Sequence, residues 1–173
     1  MKANFEQLAA YNRWANARLY EATLALTDTD YQRHRRVLQE HDGHADHLLV
    51  TDRNWMRRLI GEGEHYHRGD IVIHEDRRSL GAARADEDDR IVRYVASLDE
   101  ATLAGLHAYA TTKGKPFEQR RSDILAHLFN HQTHHRGQAH AILSILTGRE
   151  PPVLDLLAFQ RGVAAPDLRT LIA

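Results

Sequence analysis

Residues 127–138 are the most informative segment of this chain and read His127-Leu128-Phe129-Asn130-His131-Gln132-Thr133-His134-His135-Arg136-Gly137-Gln138. They lie in the last long predicted helix, where a stripe of residues recurs at alternating intervals of four and three, the spacing of a helix face that packs on a core. The members of this stripe are Ile124, Leu128, His131, His135, Gln138, Ile142 and Ile145. Three consecutive members are therefore polar side chains at positions predicted to be buried.

A buried polar side chain without a hydrogen-bond partner destabilises a fold by roughly 2–7 kcal/mol. Three such side chains in succession therefore predict a compensating ligand, and a metal ion is the simplest one. The chain contains no cysteine, which fits a reducing compartment and removes thiolate from the set of protein ligands. A metal site in this protein must be built from imidazole and oxygen.

Size and charge narrow the class of protein further. A chain of 173 residues is expected to form a single domain, residues 1–173, whose core needs no disulfide bonds. Its 23 basic and 24 acidic residues nearly cancel, and its basic pairs are dispersed, which argues against nucleic acid as the main partner. No apolar run approaches the roughly 18 residues of a membrane span. We therefore expect a cytoplasmic protein that acts on neither nucleic acid nor membranes.

The hydrophobic pattern predicts an all-α fold, a four-helix bundle, and bundles of this kind commonly build metal sites from facing helices. The four long helices are predicted at residues 5–26, 37–60, 85–98 and 122–146, with Ser122 as the N-cap of the last. Gly61 and Gly148 are expected to end the second and fourth helices. Asn12 is the single polar member of the apolar stripe on the first helix.

The segments between these helices are also predicted. Residues 61–81 are polar and rich in glycine, and are expected to form a long connection between the second and third helices. Residues 106–111 and 116–120 flank Lys113-Gly114-Lys115 and predict a small hairpin before the fourth helix. Residues 153–159 predict one short amphipathic helix at the C-terminal end.

Histidine spacing alone leaves the choice of metal ligands open. Among 13 histidines, pairs four residues apart are unsurprising, and two such pairs occur, 127/131 and 131/135. Their position on the predicted buried stripe gives them weight, because side chains four residues apart lie one above the other on a helix. His41, His44 and His47 form a second cluster on the second helix. Three protein ligands and one open position are typical of catalytic zinc sites, so two from the last helix and one from the second are sufficient.

Three segments resemble one known family, the DinB-like proteins. These segments are Tyr11-Asn12-Arg13-Trp14-Ala15-Asn16-Ala17-Arg18-Leu19, His47-Leu48-Leu49-Val50-Thr51-Asp52-Arg53-Asn54-Trp55 and Asn130-His131-Gln132-Thr133-His134-His135-Arg136-Gly137-Gln138. The last is similar to the most specific motif of that family, Asn-His-x-x-x-His-Arg-Gly-Gln. The resemblance extends over nearly the whole chain, in order.

The resemblance implies a metal-binding four-helix bundle related to thiol S-transferases of the bacillithiol transferase type. It implies His47, His131 and His135 as a three-histidine site for a divalent ion, zinc or nickel, and it suggests a homodimer. It thereby favours His47 over His41 and His44, and His135 over His127. The chain departs from the pattern at His41 and His44, where less basic side chains are expected, so an altered pocket or an extra ligand is an open alternative.

The leading functional hypothesis is a metal-dependent enzyme of the thiol S-transferase type that uses a low-molecular-weight thiol and a small-molecule substrate. No His-Glu-x-x-His run supplies a general base beside His131, but a metal-bound hydroxide would be able to cleave an ester or amide, so a metal-dependent hydrolase is the alternative enzyme. A non-catalytic metal-binding or oligomerisation module is the third hypothesis, and a fourth ligand such as His44 or His127 would favour it. Asn12 and Gln138 are candidates to line the pocket or to orient ligands, with an ordinary buried amide as the competing interpretation of each.

Overall fold

The computed structural model describes residues 1–33, 45–68 and 71–172. Four long helices dominate the described chain: α1 (Lys2–Leu24), α2 (Ala45–Ile60), α3 (Arg77–Ser97) and α5 (Arg121–Thr147). Shorter elements are α4 (Glu100–Ala104), β1 (Leu106–Ala110), β2 (Pro116–Arg120), α6 (Leu156–Gln160) and α7 (Leu168–Ile172). The prediction of a mainly α-helical fold is confirmed. The first part of the predicted second helix, with His41 and His44, lies outside the described residues.

The four long helices pack against one another in a ring. Helix α1 contacts α3 and α5, while α2 contacts the same two helices from the other side. The core between them is built from aliphatic and aromatic side chains, among them Phe5, Met56, Ile91, Leu125 and Leu128. Burial of the apolar faces that carry these residues positions α2 beside α5. None of the helices in the described part of the chain has the length and apolar character that crossing a bilayer requires.

The predicted hairpin before the last long helix is confirmed. Strands β1 and β2 pair antiparallel, with Leu106 opposite Arg120 and Ala110 opposite Pro116. Gly114 turns the chain between them with φ of 76°, a left-handed conformation that glycine adopts without a steric penalty. The hairpin packs against α2 and α5, at the end of the groove between these two helices.

Helix α3 begins eight residues earlier than predicted. The side chain of Asp76 accepts a hydrogen bond from the backbone N of Ser79 at 2.8 Å and caps the helix. The prediction was wrong because Gly81 was taken as part of the preceding connection. Gly81 instead lies inside the helix, where a Cβ atom would stand 3.2 Å from Cγ2 of Ile172, so its lack of a side chain lets α7 pack closely.

Replacing Asp76 with alanine is expected to lower the free energy of unfolding by about 1 kcal/mol, because the backbone N of Ser79 loses its acceptor. Chemical denaturation measures this difference. Asp76→Asn retains a capping oxygen and is the matched control. Equal losses of stability in Asp76→Ala and Asp76→Asn would show that the charge of Asp76, and not its capping oxygen, stabilises the helix.

Two further boundaries depart from the predictions. Ser122 is not the N-cap of the last long helix, because α5 already begins at Arg121, whose backbone N donates to the Gly105 carbonyl at 3.0 Å. The expected stop at Gly148 is confirmed, with φ of 61°. The short helix predicted at residues 153–159 is present as α6, and a second short helix, α7, follows it outside the predicted range. Tyr11 and Trp14 of α1 hold this segment through hydrogen bonds to the carbonyls of Leu154 and Val163, both 2.7 Å long.

Candidate metal centre

Three histidines from two helices converge beside the core. His47 lies on α2, and His131 and His135 lie one turn apart on α5. Their ring centroids are 5.4 Å apart for His47 and His131, 4.6 Å for His47 and His135, and 4.3 Å for His131 and His135. One nitrogen of each ring lies within 4.8 Å of the others. Imidazole nitrogens bind zinc-like ions at about 2.0–2.1 Å, so three nitrogens gathered this closely are able to serve as ligands of one ion.

The orientation of the His135 ring is set by Gln138. Nδ1 of His135 lies 2.7 Å from Oε1 of Gln138, one turn further along α5. Because an amide oxygen only accepts, Nδ1 carries the proton and Nε2 keeps its lone pair. A hydrogen bond of this kind is the usual companion of a metal-binding imidazole, since it fixes both ring orientation and tautomer.

The described residues around His131 leave one of its ring nitrogens without a hydrogen-bond partner. Its Nδ1 atom is buried and has no hydrogen-bond partner in the part of the chain that the structure describes. Burial, and then the nearby rings of His135 and His47, lower the pKa of His131 to about 3. The imidazole is therefore neutral at physiological pH, the form that binds metal ions. An unpartnered buried nitrogen in a group of three imidazoles fits a divalent ion.

Removing the acceptor of Gln138 is expected to weaken metal binding by about 10- to 100-fold, because the His135 ring is then free to rotate and to change tautomer. Gln138→Leu tests this with a competition titration against a chelator of known affinity. The thermal stability of the metal-free variant should stay near that of the parent. A variant with unchanged affinity would mean that helix packing alone orients His135.

The other residues singled out from the sequence lie at varying distances from this group. His127 is exposed, with its ring 5.9 Å from that of His131 and 5.2 Å from that of Trp55, so it lies beside the group without joining it. Asn12 is bonded elsewhere: it donates to Asp88 at 3.1 Å and accepts a hydrogen bond from Arg136. The buried-amide interpretation therefore describes Asn12.

Sequence reasoning missed a buried polar network beneath the histidines. Arg84 of α3 forms ion pairs with Asp52 of α2 at 2.7 Å and with Asp88 at 3.0 Å. Arg136 of α5 donates to Asn12 and to Asn16, the latter at 3.2 Å. Asn16 in turn donates to Asp88 at 2.9 Å, which links the two arginines through one carboxylate. The signal available in the sequence was Arg136, a charged residue directly beside the His131 and His135 stripe.

The predicted buried stripe of α5 also needs correction. Gln132 and Arg136 are the deeply buried polar residues, at 0% and 2% exposure, whereas His131 is only partly buried. Ile145 was predicted to face the core and is 79% exposed, with Leu143 buried in its place. The histidines therefore lie along the edge of the buried face, beside the groove between α2 and α5.

Fold and site together define a mainly α-helical protein with a group of three histidines, contributed by two long helices, that is suited to a divalent ion. The model of the DinB family matches residues 1–167, and the chain belongs to this family. The family resemblance seen in the sequence is thereby confirmed. No curated protein and no solved structure matches the chain.

Proposed function

We propose that the protein holds one divalent ion, zinc or nickel, between His47, His131 and His135, and that it acts as a metal-dependent thiol S-transferase. The convergence of three imidazoles from α2 and α5 carries this proposal. Membership of the DinB family supports it. Three imidazole nitrogen donors without a thiolate or carboxylate suit zinc and nickel better than magnesium or calcium, which prefer oxygen.

The protein's own contribution is to hold these donors in place and leave one side accessible. Gln138 fixes the His135 ring, and the partial burial of His47 and His131 leaves the group at the edge of the groove. Three protein ligands are typical of an open site, in which one position is free for a small molecule. Substrates would therefore approach along the groove between α2 and α5.

A thiol is the nucleophile that this arrangement favours. Among the described residues the histidine group includes no carboxylate, so no acidic side chain stands in it as a general base. When bound, a divalent ion favours the ionised form of a thiol, whose ordinary pKa of about 8.5 is far closer to neutrality than that of water. Transfer from a thiol thus needs less help from the protein than hydrolysis. A metal-dependent hydrolase is the alternative that the same experiment tests.

Two measurements test the proposal. Metal analysis and dialysis against zinc or nickel should give one ion per chain. Metal-loaded protein is then incubated with low-molecular-weight thiols and monochlorobimane, and in parallel with a panel of esters, with His131→Ala as the control for each. Thiol conjugation above the control supports the transferase, and ester cleavage alone supports the hydrolase. Stoichiometric metal without turnover in either assay would contradict both and favour a non-catalytic module.

Homodimer formation and a cytoplasmic location stay predictions from the sequence. Sedimentation of the metal-loaded protein tests the first.

A further inference from the structure

Arg58 at the end of α2 lacks the partners that arginines in this chain usually have. Its guanidinium carbon lies 4.5 Å from the ring centre of Trp55 and 6.0 Å from that of Tyr109. Within residues 1–33, 45–68 and 71–172, this guanidinium makes neither a hydrogen bond nor an ion pair. Arg53, one turn earlier, shows the usual arrangement, with Glu64 at 2.6 Å. Partial burial lowers the pKa of Arg58, because desolvation disfavours its charge.

The stacked position leaves the donors of Arg58 available to a ligand. A guanidinium that stacks on aromatic rings uses its face, while its N–H groups point outward in the plane. Those groups form a fork that matches the two oxygens of a carboxylate or phosphate. Partial removal from water also strengthens an ion pair made there, because the local dielectric constant is lower than that of solvent.

A cavity of about 340 Å³ opens at this position. Arg57, Arg58 and His65 contribute to its lining from the α2 side, and Tyr109 and Thr111 from the hairpin. Among the described residues the lining of the cavity includes two arginines and no carboxylate, a composition that favours an anionic ligand. Arg57 donates to the neutral carbonyl of Gly63 at 3.3 Å and keeps its charge uncompensated there.

The hairpin wall of this cavity is fixed relative to Arg58. Nδ1 of His107 accepts a hydrogen bond from Arg121 at 3.0 Å, so Nε2 carries the proton and donates to the Arg58 carbonyl at 2.8 Å. Strand β1 is thereby tied to the last turn of α2. The aromatic wall and the guanidinium are held together before any ligand arrives.

A row of rings joins this cavity to the three histidines. The ring of His131 lies 5.9 Å from that of His127, which lies 5.2 Å from Trp55. Arg58 follows at 4.5 Å. On α2, Arg58 is eleven residues after His47, which is three helical turns on the same face and about 16 Å along the axis. The rings of His127 and Trp55 therefore lie between the histidine group and Arg58.

We propose that Arg58 is the anion-binding residue of a substrate subsite. It binds a carboxylate or phosphate group of an organic substrate whose body lies against Trp55 and His127 and extends towards His131. The reaction of the bound substrate rests on the proposed function. Binding of an anion at Arg58 is tested separately. It makes Arg58 a specificity-determining residue that selects acidic substrates over neutral ones.

The two tryptophans of the chain provide a direct readout of the subsite. Trp55 lies against Arg58, while Trp14 lies in a separate cluster with Tyr11 and Ala15 and donates its indole N–H to Val163. The indole N–H signals of metal-free protein are followed by NMR during titration with benzoate, phenyl phosphate, inorganic phosphate or neutral benzyl alcohol. Trp14→Phe assigns the two signals. We expect the acidic aromatic probes to shift the Trp55 signal saturably, with no shift at Trp14 and none from benzyl alcohol.

Substitutions at Arg58 then separate a ligand site from a purely structural stack. Arg58→Gln should weaken binding of benzoate or phenyl phosphate by about 10- to 100-fold, and Arg58→Lys by less, because lysine keeps the charge without the fork. Arg93→Gln, on an exposed position of α3, is the matched control and should bind as the parent does. Preference for benzoate or for phenyl phosphate distinguishes a carboxylate from a phosphate site. Unchanged affinity in Arg58→Gln, or an equal response to benzyl alcohol, would overturn the proposal.

The same probes distinguish failure of the subsite from failure of the metal centre. His131→Ala should still bind the acidic probe, and Arg58→Gln should still bind zinc. If the transferase activity is present, Arg58→Gln should lower kcat/KM for an electrophile with a carboxylate by at least about 10-fold and leave that for monochlorobimane unchanged. Equal losses for the charged and the neutral electrophile would contradict a role in selecting acids.

Discussion

His131→Ala is expected to lower the affinity for zinc or nickel by more than about 100-fold. Loss of a residue that merely orients a metal ligand weakens binding by 10- to 100-fold, so loss of a direct ligand should exceed that range. His131 is also the member whose buried Nδ1 has no hydrogen-bond partner among the described residues, and its ring centroid lies 5.4 Å from that of His47 and 4.3 Å from that of His135. The two remaining imidazoles cannot hold an ion as tightly as three, because one of four tetrahedral positions is lost.

A chelator competition titration measures this loss, with His134→Ala as the control. His134 lies next to His135 on the same helix, with their rings 4.9 Å apart, but it is exposed and does not belong to the group of three. His134→Ala should therefore keep the parent affinity, and His47→Ala should behave like His131→Ala although it changes a different helix. An affinity of His131→Ala close to that of the parent would contradict the proposed metal centre. Loss in His131→Ala and not in His47→Ala would mean that α5 binds the ion alone.

The position of the histidine group was accessible from the sequence because it depends on local spacing and on a motif. His131 and His135 are one turn apart on any helix, so their approach needs no tertiary information. Local spacing did not identify His47 as the third member, since hydrophobic spacing could not distinguish it from His41 or His44. The motif resemblance made that choice, and the structure places His47 beside the other two.

The sequence did not predict in the same way how deeply each residue of α5 is buried. A strict seven-residue repeat departs from a straight helix by about 20° per repeat. Between Ile124 and Ile145 three repeats accumulate a rotation of about 60°, which carries Ile145 away from the core, whereas Leu143 lies on the same face as the buried Leu125. Gln132 and Arg136 are misplaced for another reason: each follows a member of the predicted stripe by one residue, about 100° around the helix, and shares its buried face with Leu125. A repeat counted from one end therefore predicts the wrong face at the other.

The buried network was inaccessible for a further reason. Residues 84–90 of α3 are mostly charged, a pattern that usually indicates a solvated helix face. Arg84 and Asp88 are nevertheless at 0% and 2% exposure, because Asp52 of α2 lies opposite them. Asp52 and Arg84 are 32 residues apart in the chain, and only the packing of α2 on α3 brings them together.

Arg84→Ala is expected to lower the free energy of unfolding by about 3–5 kcal/mol, since it leaves Asp52 and Asp88 buried without their cation. That is a large share of the 5–15 kcal/mol by which domains are usually stable, so Arg84→Lys serves as a milder second variant. Chemical denaturation measures both. A loss below about 1 kcal/mol in Arg84→Ala would mean that water or repacking replaces the guanidinium.

The loss caused by Arg84→Ala should depend on pH in a defined direction. Desolvation by burial already raises the pKa of Asp88 to about 6 although Arg84 lowers it, so removing Arg84 raises that pKa further. Between the unfolded value near 3.8 and this raised value, the folded variant binds more protons than its unfolded chain, and its stability increases as pH falls. The difference between parent and variant should therefore be smaller at pH 5 than at pH 8. A difference that stays constant over this range would show that lost packing, not uncompensated charge, destabilises the variant, since the histidines that titrate in this interval are the same in both proteins.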